Sequence, residues 1–210
     1  MSTAPLRILL ILSQQPLETG SGVYLKELAQ ELCVLGHIPY LLAAHYRPLT
    51  HTDFPSLANE QIFTVIFQNQ ENAQHAEIHF PIPGMSLDMP YLYRNFRDLS
   101  PEMLQEYIDV WTKKIRQIVE LIKPDLIHVN HLWLLPGIAR AAVPWMPIVA
   151  TSHGTDCAML CKVPAFKPLV VPGVQQLDAI MPISSEVNTA VINTFGVNPE
   201  RISLIGNGYN

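Results

Sequence analysis

The residues of this 210-residue sequence best suited to chemistry are histidines that directly follow short apolar runs. His153 follows the apolar residues 148–150 and Thr151-Ser152, and it precedes Gly154, so its ring could enter a cleft while the backbone turns away. A neutral imidazole can orient hydroxyl groups or exchange a proton near neutral pH. His131 ends a second apolar run, and we expect it to contact a substrate. A structural hydrogen-bonding role stays open for both.

Two glycines, Gly20 and Gly22, flank Ser21 in a polar loop that is expected to precede a helix. Glycines allow backbone N–H groups at the positive end of a helix to approach an anionic or hydroxyl-rich ligand. A tight turn also requires glycine, so ligand contact and a structural turn remain alternatives. The spacing matches neither the G-x-G-x-x-G dinucleotide fingerprint nor a P-loop.

Residues 80–97 combine aromatic side chains with Arg94 and Arg97, and we expect a loop beside the cleft. Arginine forks suit a carboxylate or phosphate on an acceptor, and the alternative is an ordered surface loop with solvated arginines. His128 and His131 should point to opposite faces of an extended segment, which disfavours joint metal ligation. We expect neither a metal nor another cofactor.

Composition restricts the class of partner. The net charge is −5, and the 13 Lys and Arg residues are scattered, so a nucleic acid partner is not expected. No apolar run reaches the roughly 20 residues that span a bilayer, and we expect a cytoplasmic protein. The long helix expected over residues 101–122 carries both signs of charge, so peripheral membrane contact is possible but not indicated.

Short apolar runs alternate with helical periodicity along the chain, which predicts an α/β, Rossmann-like three-layer domain with a mostly parallel sheet. Ser100 should cap the long helix, and Pro101 should occupy its first position. Ligands in such folds bind at the carboxyl ends of the strands. The strands are expected at 6–13, 38–44, 126–129, 148–151, 179–183 and 202–205, with two shorter ones near 62–67 and 77–80. The other helices are expected at 23–35, 136–143, within 166–177, and from Ser184 or Ser185 to Gly196.

Four strand-end segments, taken in order, carry a resemblance to a known family. The first runs from residues 19–23 through residues 35–37. The others are residues 123–131, residues 152–156, and residues 201–208. In this order and spacing the sequence resembles the retaining glycosyltransferase family 4, whose members have the GT-B architecture of two facing Rossmann-like domains. The likeness covers essentially the whole chain.

The resemblance implies roles for particular residues. A loop like Gly20-Ser21-Gly22 approaches the donor phosphate and the acceptor. Gly154, Thr155 and Asp156 are assigned to the same binding role. A histidine like His153 hydrogen-bonds the transferred sugar. A nucleotide-sugar donor and a small-molecule, glycan or lipid-linked acceptor are implied as partners. No metal is expected, because helix dipoles and basic residues neutralise the leaving diphosphate.

The resemblance also predicts the domain organisation. Residues 1–205 should form the N-terminal, acceptor-side domain, and residues 206–210 should begin the interdomain linker. Residues 207–210, Asn-Gly-Tyr-Asn, stand where the family has Asn-Gly-Val-Asp. The donor-binding domain would be absent, so the chain alone should be inactive. The alternatives are a stand-alone Rossmann-like ligand-binding or regulatory module, and a different GT-B enzyme such as an epimerase or a phosphorylase.

Overall fold

The computed structural model describes residues 4–86 and 88–206, and a six-stranded parallel sheet forms its centre. The sheet order is β3-β2-β1-β6-β7-β8, so the chain moves outward from β1 and then returns to the other side of it. The strands of the sheet are β1 (Arg7–Leu12), β2 (Ile38–His45), β3 (Ile62–Ile66), β6 (Leu126–Asn130), β7 (Ile148–Ser152) and β8 (Ala179–Pro182). A separate parallel pair consists of β4 (Pro83–Gly84) and β5 (Arg94–Asn95).

Six α-helices connect or cover these strands. They are α1 (Gly20–Val34), α2 (Pro101–Ile122), α3 (Leu134–Ala142), α4 (Thr155–Lys162), α5 (Lys167–Gln175) and α6 (Ser185–Phe195). The predicted α/β class and parallel sheet are confirmed, and β1 lies at the centre as expected. The reversal of strand order between β1 and β6 creates the switch point at which such folds bind ligands.

The sheet is apolar on both faces, because successive side chains of a strand point to opposite sides. In β1, Leu10 packs with Leu25 of α1 in one core cluster. The neighbouring residue Leu9 belongs to the other cluster, which contains Trp111 of α2 and Ala139 of α3. All five side chains are fully buried. Helices therefore cover both sides of the sheet, which gives the expected three layers.

The long helix α2 follows the prediction closely. Its N-cap is Ser100, whose hydroxyl accepts a hydrogen bond from the Met103 N–H, and Pro101 is the first helical residue. Lys123 ends it in a left-handed conformation immediately before Pro124. Local signals sufficed here because capping and proline effects act within one helical turn.

Two helices differ from the prediction. Helix α1 begins at Gly20 instead of Val23, because the Thr19 hydroxyl caps it by accepting a hydrogen bond from the Gly22 N–H at 3.1 Å. Helix α4 was not predicted at all. It has eight residues, no side-chain cap, and a left-handed Gly154 before it, so its start is weakly marked in the sequence, although Asp156 lies in its first turn and Lys162 in its last.

Two expected strands are reduced to single bridges. Ile78 bridges only Phe67, and Ile202 bridges only Ile180. The segment after Ile202 continues beside β8, since the N–H of Ile205 donates to the carbonyl of Pro182 at 3.2 Å, but it forms no regular strand.

Among the described residues, no single helix is long and apolar enough to cross a membrane. One pair of consecutive helical segments, Thr155–Lys162 and Pro164–Gln175, passes that test on length and composition, but it is bent by 102°. Leu87, in the segment 80–97, and residues 207–210, which the prediction gave to the linker, lie outside the described residues.

Candidate functional site

A groove of about 450 Å³ lies at the carboxyl ends of the central strands. We call it the strand-end groove. Its walls come from the first turn of α1, the ends of β6 and β7, and the segment before β5. Its lining residues are Gln14, Glu18, Thr19, Gly20, Ser21, Met85, Ser86, Asp88, Met89, Pro90, His131, His153, Thr155 and Ile183. Five of the expected site residues therefore meet here: Gly20, Ser21, His131, His153 and Thr155.

His153 follows β7 and is half-buried in the groove wall. Its Nε2 atom lies 2.6 Å from Oδ1 of Asn130, and the edge of the Tyr24 ring meets its ring at a centroid distance of 5.1 Å. Burial, with the nearby His131 as a second cause, lowers the pKa of His153 to about 3. The ring is therefore neutral at physiological pH, and it cannot serve as a cation.

Asn130 fixes the tautomer of this histidine. Its amide nitrogen donates to the carbonyl oxygen of Ser21 at 2.8 Å, which turns Oδ1 toward His153. Since Oδ1 can only accept, the proton of the neutral His153 ring sits on Nε2. The Nδ1 atom then carries the lone pair, and it can accept a hydrogen bond from a ligand hydroxyl.

Asp156 lies beneath the groove and organises it. It is fully buried, and its carboxylate accepts hydrogen bonds from His131 Nδ1 at 2.8 Å, Ser152 Oγ at 2.8 Å and the His153 N–H at 3.3 Å. Burial raises its pKa, but His131 and these hydrogen bonds outweigh that effect, and the net pKa is lowered. Asp156 was expected to contact a donor or acceptor, but its side chain is enclosed and does not line the groove. It positions both histidines instead.

His131 occupies an unusual backbone conformation, with φ at +107°. A non-glycine residue there costs about 1–3 kcal/mol, and such strain is found mainly at functional sites. Two contacts hold it: its N–H donates to the carbonyl of Thr151 at 3.0 Å, and its ring binds Asp156. Its Nε2 atom is buried without a hydrogen-bond partner in the described part of the chain. An unsatisfied nitrogen in a groove wall is suited to a ligand hydroxyl.

The glycines divide into two kinds. Gly20 is exposed in the groove, and a Cβ there would meet nothing within 4 Å. A Cβ on Gly22 would lie 2.0 Å from the Pro16 carbonyl oxygen, and its N–H is already bonded to Thr19. Gly22 therefore allows close packing and does not line the groove. Gly154 does not line it either; with φ at +85°, it provides the turn into α4.

The two arginines expected near an acceptor lie outside the groove lining. Arg94 is in β5, and its Nε atom is buried without a partner among the described residues. Arg97 is exposed, and its Nε atom lies 3.7 Å from Asp98. Met85, Ser86 and residues 88–90 of the same segment do border the groove, whereas neither arginine lines it.

Charge and donor chemistry limit what the groove can bind. Its described lining contains two acidic residues, Glu18 and Asp88, and no lysine or arginine. In the part of the chain that the structure describes, no group of three His, Cys, Asp or Glu side chains could hold a metal ion. His128 is separate from the groove, since its ring is buried against Thr151 Oγ1 at 2.8 Å. The groove offers two acidic side chains together with neutral hydrogen-bonding groups, which fit a hydroxyl-rich ligand.

Asn130 was not among the predicted site residues, although it occupies a strand end beside His131. Its position as the last residue of β6 was the available signal.

Comparison with known proteins gives a consistent picture. A family model described as Glycosyltransferase Family 4 matches residues 19–210. A search of curated proteins found no match.

Solved structures match with high coverage of this chain. A sucrose-phosphate synthase from Thermosynechococcus elongatus gives a TM-score of 0.64 at 14% identity, covering 98% of this chain and 49% of that one. A glycosyltransferase from Rickettsia africae ESF-5 gives 0.54 at 15% identity, covering 99% and 44%. A UDP-N-acetylglucosamine 2-epimerase from Rickettsia bellii gives 0.51 at 14% identity, covering 96% and 45%. This chain spans about half the length of these proteins, and identities this low show the fold alone.

Proposed function

The chain belongs to glycosyltransferase family 4, and we propose that it is the acceptor-side half of a retaining enzyme that moves a sugar from a nucleotide-sugar donor to an acceptor hydroxyl. The observation that carries the proposal is the pair of histidines at the groove. His131 and His153 lie 5.0 Å apart between ring centroids, each held by a buried polar residue. Both rings carry nitrogens that can form hydrogen bonds with hydroxyl groups.

In this proposal His153 orients a hydroxyl of the transferred sugar. Its Nε2–H donates to Asn130, so Nδ1 accepts a hydrogen bond from the sugar hydroxyl. The low pKa of the ring keeps the Nδ1 lone pair unprotonated. His131 forms a hydrogen bond with a substrate hydroxyl through Nε2, while Asp156 fixes its ring. Neither ring acts as a nucleophile. Precise placement of reacting groups is a large part of what an enzyme contributes to a transfer reaction.

In this proposal the first turn of α1 helps to stabilise the negative charge of the donor phosphate. Gly20 and Ser21 line the groove, and their N–H groups lie at the positive end of a 15-residue helix. Such an end stabilises negative charge on a phosphate. The described groove lining contains no lysine or arginine, so we propose that the groups that neutralise a leaving diphosphate come from a second domain. A polypeptide of these 210 residues alone is accordingly proposed to be inactive.

The test uses this domain alone and joined to a donor-binding domain. Nucleotide release from a panel of nucleotide sugars would be measured with and without candidate acceptors, and the anomeric configuration of any product determined by NMR. We expect acceptor-dependent release with retention from the joined protein and none from the 210 residues alone. Inversion would contradict the proposal, as would isomerisation of the donor sugar without an acceptor, which is the behaviour of an epimerase.

A further inference from the structure

A second hollow, of about 440 Å³, lies beside the strand-end groove. It is formed at the ends of β2 and β3 by residues that include His45, Arg47, Asn69 and Tyr91, and it shares Glu18 and Pro90 with the groove. Each space falls in the range of about 300–1,000 Å³ that is typical of small-molecule sites. Because they share two walls, one ligand could occupy both.

The charges on these walls disfavour a negatively charged acceptor. Arg47 is the basic residue of the second hollow, but its guanidinium is engaged by both oxygens of Asp53 at 2.8 Å. Glu18 stands between the two spaces, and its bonded partner is the neutral amide of Gln15 at 2.8 Å. Asp88 adds a further negative charge in the groove. Like charges at a binding surface suppress the wrong partners.

The remaining polar groups of the second hollow suit sugar hydroxyls. The N–H of Arg47 donates to Nδ1 of His45 at 3.1 Å, and burial lowers the pKa of this histidine, so its proton sits on Nε2 as a neutral donor. Oδ1 of Asn69 is used by the N–H groups of Glu71 and Asn72, both at 3.0 Å. Its amide N–H groups are therefore the donors available to a ligand. Tyr91 contributes an aromatic surface, which packs well against sugar rings.

We propose that the acceptor is an uncharged, hydroxyl-rich molecule of at least two sugar units, whose reacting unit lies in the strand-end groove and whose next unit lies in the second hollow. This inference rests on the proposed function. It excludes sugar phosphates and uronates as preferred acceptors, because Glu18 faces both units and no uncompensated basic side chain lines either described space.

The test measures saccharide binding to the 210-residue chain by NMR, following the ring signals of His131 and His153 and the side-chain amide of Asn69. The probes are a library of neutral monosaccharides and disaccharides, each paired with its 6-phosphate or uronate counterpart. We expect the preferred disaccharide to bind at least about tenfold more tightly than its terminal monosaccharide, and to shift all three signals. We expect its charged counterpart to bind at least about tenfold more weakly.

Two variants address the two parts of the proposal. Leu92→Trp places a large side chain at the exposed rim of the second hollow and should reduce disaccharide affinity to the monosaccharide level. Glu18→Gln removes the charge that both spaces share and should reduce the difference in affinity between neutral and charged probes. Glu60→Gln, an equal charge change at an exposed residue outside both spaces, should leave the affinities unaltered.

The outcomes separate the two proposals. Equal affinity for monosaccharide and disaccharide, or tighter binding of the charged probes, would overturn this inference while leaving the proposed function intact, provided that the His131 and His153 signals shift. If no saccharide in the library shifts those two signals, the proposed function fails and this inference fails with it.

Discussion

Nε2 of His153 lies 2.6 Å from Oδ1 of Asn130, whose amide nitrogen in turn donates to the carbonyl oxygen of Ser21 at 2.8 Å. One buried asparagine thus joins the ends of β6 and β7 to the first turn of α1, across 109 residues of sequence. The orientation of the histidine ring depends on all three segments being assembled.

His153→Ala, in the protein joined to its donor-binding domain, should lower kcat by about 10²–10³, the range seen when one preorganised polar contact is removed. The free energy of unfolding should fall by only about 1 kcal/mol, because one hydrogen bond is lost at a half-buried position. Steady-state kinetics and thermal denaturation measure the two effects. His75→Ala, at an exposed site, is the control and should change neither. A large loss of stability accompanying the loss of activity would indicate a structural histidine.

Gly22→Ala should destabilise the domain by about 1–3 kcal/mol, because the new methyl group would lie 2.0 Å from the Pro16 carbonyl oxygen. Gly20→Ala is the matched control two residues away. With nothing within 4 Å of its Cβ, it should preserve or slightly raise stability. Urea denaturation of both variants checks the difference, and equal stabilities would refute the close packing of this turn.

Asp156→Asn should cost about 1–3 kcal/mol of unfolding free energy, since a buried amide cannot replace the charged carboxylate that accepts hydrogen bonds from His131, Ser152 and His153. Asp98→Asn removes the acid of an exposed pair, in which the atoms are 3.7 Å apart, and should cost less than about 1 kcal/mol. Denaturant titrations at pH 7 compare the two. If both variants lost the same amount of unfolding free energy, Asp156 would not organise the groove as described.

Stability should decrease as the pH falls from about 6.5 to about 4, because His128 and His153 both have lowered pKa values, and the contribution of His128 can be tested separately. Burial lowers the pKa of His128 from 6.5 to about 4, so within this window the unfolded chain binds a proton that the folded chain does not. The slope from one such histidine is at most about 1.4 kcal/mol per pH unit, and stability is fully present above pH 6.5. Urea denaturation at several pH values measures this slope.

The double variant His128→Leu/Thr151→Val removes both members of this buried hydrogen bond, which leaves no unpaired partner. Its stability should depend less steeply on pH between 6.5 and 4 than that of the parent protein. A slope equal to that of the parent would show that His128 does not cause the acid sensitivity.

Local signals in the sequence determined much of this fold. The caps at Ser100 and Ser184, the glycine at 196 and the apolar run of β1 each act within one helical turn or one strand, so they could be recognised without knowledge of distant residues. Because parallel strands end at one edge of a sheet, the sequence also indicated that His131 and His153 would lie near each other.

Tertiary structure alone decided which of the strand-end residues face the groove. Asp156 and Gly22 belong to the same motifs as His153 and Gly20, but one is enclosed by the side chains of Ser152 and His131 and the other by the backbone of Pro16. Burial and tautomer depend on atoms contributed by segments distant in sequence. Spacing along a chain specifies which residues approach one edge, whereas the packing around each side chain determines whether it binds a ligand or supports a neighbour.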